Sequence, residues 1–97
     1  MLSERQLAPR SMMPKPTSII VDRRSVKTCH IYLPNEPKPI SAIAYNGHLY
    51  GYVRFYADLD AAQRAADRLV QRGNAAVLTK TVKGLVLWVI EPDARLA

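Results

Sequence analysis

Two histidines and one cysteine are the residues from which this chain would most directly build a metal or nucleophile site, and Cys29 and His30 are adjacent. They lie in "SVKTCHIYLP", a run rich in β-branched and aromatic residues that reads as a strand. Neighbours on a strand point to opposite faces, so these two cannot hold one ion or work as a nucleophile–base pair. His48 directly follows an Asn46-Gly47 turn and is expected in solvent. Asp58 and Asp60 stand where a helix begins, a place that favours negative charge. Asp67 falls on the polar face of that helix, and Glu91 and Asp93 flank Pro92. The four glycines are scattered, with no phosphate-binding loop. The residues therefore predict no catalytic site, no metal site and no cofactor.

The chemistry they do offer is binding. Tyr45, Tyr50 and Tyr52 share one side of a predicted hairpin with Arg54, and Trp88 joins that side from a later strand. Such a surface suits a protein partner through its aromatics, or single-stranded nucleic acid through stacking and basic groups. The sheet-and-helix outline resembles that of RNA-recognition modules, without their aromatic-glycine signature on adjacent strands. Arg64, Arg68 and Arg72 recur every four residues and make a basic strip along one helix face.

The elements that must position these residues follow from local pattern. "TSIIVDRR" and "SVKTCHIYLP" read as strands, joined by a tight turn or by a bend in one long strand at Asp22–Ser25. "PNEPKP" is a loop, because proline cannot donate to a ladder. Asn46-Gly47 predicts a two-residue type I′ hairpin pairing Ala44 with Leu49, Ala42 with Gly51 and Ile40 with Val53. One face then carries Ile40, Ala42, Ala44, Leu49, Gly51, Val53 and Phe55, expected beneath the helix. The other carries Ser41, Ile43, Tyr45, His48, Tyr50, Tyr52 and Arg54. The helix is "DLDAAQRAADRLVQRGN", capped by Asp58 or Asp60, with Gly73 as its left-handed stop. Leu59, Ala62, Ala65, Ala66, Leu69 and Val70 form its apolar stripe. "AAVLTKTV" and "GLVLWVIEP" close a last strand pair, and "DARLA" is too short to build anything of its own.

The expected fold is thus α+β, with a two-layer, mostly antiparallel sheet of about five or six strands in the order β-β-β-β-α-β-β and one amphipathic helix packed on one face. Residues 1–16 form a flexible arm, 17–93 the domain and 94–97 a tail. The segment "YVRFYADLDAAQRAADRLVQRGNAAVLTKTVKGLVLWVIEP" resembles half of a SPOR-type peptidoglycan-binding domain in its strand, A-x-x-A-x-x-L helix, glycine and two strands. The second half of such domains and their usual membrane anchor are missing, and the resemblance carries over no binding residues.

One feature of the pattern is unresolved by a single helix. Leu85–Ile90 is apolar at every position, so both faces of that strand need cover. The N-terminal strands could fold across the second face, two copies could bury it, or another protein could dock there.

Composition fits this picture. The 97 residues make one domain, 48% hydrophobic and 23% charged, with a net charge of +6 that permits an anionic partner. A lone cysteine allows no internal disulfide, no run approaches the ~20 residues of a membrane span, and no secretory signal opens the chain. The reading is a cytoplasmic, non-catalytic protein-binding module acting as subunit, adaptor or regulator. Its partner is another protein or a second copy of itself, and the alternative is a single-stranded nucleic-acid (RNA) binder using the tyrosine/arginine face.

Overall fold

The computed structural model describes residues 13–97, so most of the expected N-terminal arm lies outside the described residues. The protein is α+β, with seven strands in one mixed, mostly antiparallel sheet and one α-helix among the described residues. The strands are β1 (Ser18–Asp22), β2 (Lys27–Tyr32), β3 (Ile40–Tyr45), β4 (His48–Tyr56), β5 (Ala76–Lys80), β6 (Leu85–Ile90) and β7 (Arg95–Leu96). The helix, α1 (Leu59–Gln71), separates β4 from β5. Across the sheet the order is β1-β5-β6-β4-β3-β2-β7, and β1–β5 is the one parallel pair in it. No helix among the described residues is long and apolar enough to cross a membrane.

The hairpin forms as its turn chemistry predicts. Asn46 and Gly47 both take positive φ, 55° and 83°, as a type I′ turn demands. Ala44 then faces Leu49 and Ala42 faces Gly51. The expected Ile40–Val53 pair is absent from this ladder, because β4 slips register between Tyr52 and Arg54.

Helix α1 starts at Asp58, whose carboxylate accepts from the Ala61 N–H at 2.9 Å. The Gln63 amide donates to Ser18 and to Asp67. At the other end Gly73 adopts φ +92°. The Asn74 N–H reaches the Leu69 carbonyl and the Gly73 N–H that of Val70, the paired bonds of a Schellman stop.

The buried helix alanines Ala62, Ala65 and Ala66 pack on Ala76, Leu78, Leu85 and Leu87. The helix therefore lies on β5 and β6 and not over the hairpin's small residues as the sequence suggested. The chain returns from Gly73 straight into β5, which puts those strands under it. The hairpin's Gly51 is covered instead by Glu91: a Cβ at Gly51 would sit 3.2 Å from Glu91 Cγ and from Ile40 Cδ1. The C-terminal residues also build more than expected, since Arg95 and Leu96 pair with Tyr32 and Ile31 as β7.

The link between β1 and β2 shapes the whole sheet. Four strands, β5, β6, β4 and β3, separate them in the ladder, roughly 24 Å in a flat sheet at ~4.8 Å per strand. The residues joining them run only from Arg23 to Val26, a reach of at most ~18 Å. The sheet must curl until its ends approach, with β1 and β2 acting as one strand bent at a 3-10 turn. That turn is pinned by the Asp22 carboxylate on the Arg24 N–H at 2.8 Å and by the Ser25 hydroxyl on the Asp22 carbonyl at 2.9 Å.

The curl encloses a second core of Ile43, Tyr50, Ala75, Val77, Trp88 and Ile90, against which Met13, Val21 and Val26 pack. Self-coverage by the N-terminal segment is thus how the second apolar face of β6 is closed.

Candidate functional site

The five residues expected to form one partner-binding surface do not share one exposed face. Tyr50 and Trp88 are core, 4% and 7% exposed, and Tyr45 is half-buried beside Tyr50, ring edge toward ring at 6.4 Å. Burial, with a smaller contribution from Tyr45, pushes the Tyr50 phenol up from its ordinary value. The Trp88 indole N–H donates to the Thr79 hydroxyl at 2.9 Å, which lets both polar groups sit inside the curl without an orphan. Tyr52 stands edge-on to Trp88 at 5.8 Å and remains 47% exposed.

Arg54 is turned to the opposite face by the register slip. Tyr52 pairs with Trp88, but Arg54 pairs with Leu87 and Phe55 with Val86. Val53 is the extra residue of a β-bulge, which reverses the facing of everything after it. Arg54 therefore lies on the helix side, its guanidinium 5.5 Å from the centre of the Tyr56 ring. Phe55, expected beneath the helix, moves to the Tyr52 side and is 42% exposed. No glycine or proline marks this slip in "GYVRFY", so nothing local announces it.

The bulge also produces a feature that the sequence reading missed. β3 pairs with β4 only as far as Ala42–Gly51, whereas β4 stays paired to β6 out to Tyr56. Beyond Gly51 this half of β4 leaves the β3 ladder and is held by β6 alone, carrying Tyr52, Val53 and Phe55, each more than 40% exposed.

Beside this strip the curled sheet opens into a cleft of about 370 Å³. Tyr52 and Trp88 form its aromatic wall, and Arg23, Thr28, His30 and Ser41 bring polar groups to it. Arg23 comes from the bent link, a position that local pattern does not connect to the tyrosines. A second, more apolar groove of about 590 Å³ lies between the hairpin and the C-terminal segment, lined by Lys27, Cys29, Ala44, Leu49, Ala94 and Leu96 among others.

Cys29 and His30 pair with Ala42 and Ser41 respectively, and so face opposite ways as adjacent strand residues must. Burial pushes the Cys29 thiol up, which lowers its thiolate content at neutral pH. Arg64, Arg68 and Arg72 are all exposed, and Arg68 stands in the last helical turn, where a cation is favoured by the helix dipole. Comparison with family models, curated proteins and solved structures gives no match.

Proposed function

We propose that this protein is a small non-catalytic protein-binding module, a subunit, adaptor or regulator that docks through the half of β4 beyond its ladder with β3. The observation that carries this reading is the strip Tyr52, Val53 and Phe55: three large apolar side chains within four residues, 41–47% exposed. Clustered apolar exposure of this kind marks interaction surfaces, and aromatic residues at such sites supply much of the binding energy. The strip sits on a paired strand held by β6, so it is presented in a fixed geometry.

The test compares the native chain with Val53→Asp/Phe55→Ser as bait, using cross-linking and mass spectrometry of captured proteins. Both positions are exposed, and the double variant is expected to keep its melting temperature within a few degrees. The expected result is loss of the specific partners. Identical captured sets from a folded variant would remove the strip from the function.

Single-stranded nucleic acid is the second reading, favoured by the cleft where Tyr52 and Trp88 meet Arg23 and His30. A base stacked there would leave its phosphate near the Arg23 guanidinium. Binding of a fluorescent oligonucleotide that falls steeply from 50 to 200 mM salt, and is lost in Arg23→Ala, supports this reading over the first.

A further inference from the structure

We propose that two copies of this chain join through antiparallel pairing of their β1 strands, centred on Ile20. The two ends of the sheet are treated very differently. At one end β7 is only two residues long, and the Ala97 N–H is bonded to His30. Short terminal strands are a usual means of closing a sheet to further pairing. At the other end β1 is a five-residue strand, Ser18–Asp22, with no proline, no lysine and no bulge. Its Ile19 and Ile20 are 37% and 46% exposed. The one charge on it, Asp22, is bound back onto Arg24 of its own turn. Among the described residues, β1 therefore lacks the features that normally guard an edge.

The direction of its outward backbone groups can be read from the ladder. The Thr17 carbonyl accepts from the Ala76 N–H at 2.9 Å, so Thr17, Ile19 and Val21 turn their backbone groups toward β5. Alternation then turns those of Ser18, Ile20 and Asp22 outward.

The sequence of this edge is complementary to itself. With a two-fold axis at Ile20, the two Ile20 residues exchange a mutual pair of hydrogen bonds, and Ser18 of each copy faces Asp22 of the other. Ile19 meets Val21 on one face and Ile20 meets Ile20 on the other. No like charges stand opposite one another, which is the arrangement that destabilises cross-strand pairs. Pro14 and Pro16 upstream and the 3-10 turn downstream stop the ladder from running further. This edge is separate from the Tyr52–Phe55 strip, so the dimer and the docking reading fail independently.

Sedimentation equilibrium of the full chain, from about 5 µM to about 1 mM, covers the range in which so short a seam associates. The native chain is expected to pass from monomer to dimer across it. Ile20→Lys should raise the midpoint at least ~10-fold by placing two lysines in opposition. Ile20→Pro should abolish the dimer while leaving the fold intact, because the N–H it removes points away from β5. Circular dichroism confirms the fold in each case. A native chain that stays monomeric throughout overturns the proposal, and so does a dimer that survives Ile20→Pro in a folded protein.

Discussion

Strand β6 is buried on both faces, by two quite different means. Leu85 and Leu87 sit under the alanine stripe of α1, which the chain supplies just before β5 and β6. Val86, Trp88 and Ile90 face the inside of the curl, whose cover comes from Met13, Val21 and Val26 at the far end of the sequence. The first core is small-residue, close-approach packing. The second is aromatic and holds a buried hydrogen bond, Trp88 to Thr79. A locally built core can be read from periodicity, whereas one closed by distant segments depends on how the sheet bends.

The comparison is broken most severely on the aromatic side. Trp88→Ala is expected to cost about 3–5 kcal/mol, since it removes the largest ring of that core and leaves the buried Thr79 hydroxyl without its donor. Ala66→Leu attacks the helix side by overpacking a fully buried position, at about 1–3 kcal/mol. Urea titration of both variants checks the order. A larger loss for Ala66→Leu would make the helix face the dominant core.

A smaller effect isolates turn strain from packing. A Cβ at Gly47 would meet nothing within 4 Å, yet the residue sits at φ +83°. Gly47→Val is therefore expected to destabilise by about 1–2 kcal/mol through conformation alone. An unchanged melting temperature would show that the type I′ turn relaxes freely.

The smallest effect is electrostatic. Burial first, and then Asp93, raise the Glu91 carboxyl above its ordinary 4.5. A raised acid binds its proton more readily in the folded state, so its contribution is full below 4.5 and is lost as pH rises through the folded value. Glu91→Gln should accordingly be slightly more stable than the native chain at pH 7, and that advantage should vanish below pH 4.5. Thermal melts across this range, reading only the difference between the two proteins, test the sign.

Much of the fold was legible because its signals are local. Asn46-Gly47 fixed the hairpin register, Asp58 and Gly73 bounded the helix, and the alanine stripe named its buried face. The choice left open at Asp22–Ser25, a turn or a bend in one long strand, resolves as a 3-10 bend between β1 and β2. The misplacements have physical causes. Arg54 and Phe55 changed faces because one unpaired residue, Val53, reverses strand alternation without any sequence marker. The tyrosine side was read as a surface because its cover, β1 paired in parallel to β5, is a contact between segments far apart in the chain. Of the candidate site, Tyr52 kept the exposed aromatic position assigned to it, while Val53, Phe55 and Arg23 entered through the bulge and the bend.

The bent β1–β2 strand also has a consequence for the order of assembly. Ser18 pairs with Ala76, so the first of the described strands waits for the fifth before it gains its neighbour. On a growing chain the hairpin and then the helix can form as they emerge, but the aromatic interior cannot close until β5 and β6 are complete. Such long-range parallel pairing is intrinsically slow to form, and until it forms Ile19, Ile20 and the Trp88 side of β6 stand open together. The interval before β1 reaches β5 is therefore when this chain is most exposed to wrong pairing and aggregation.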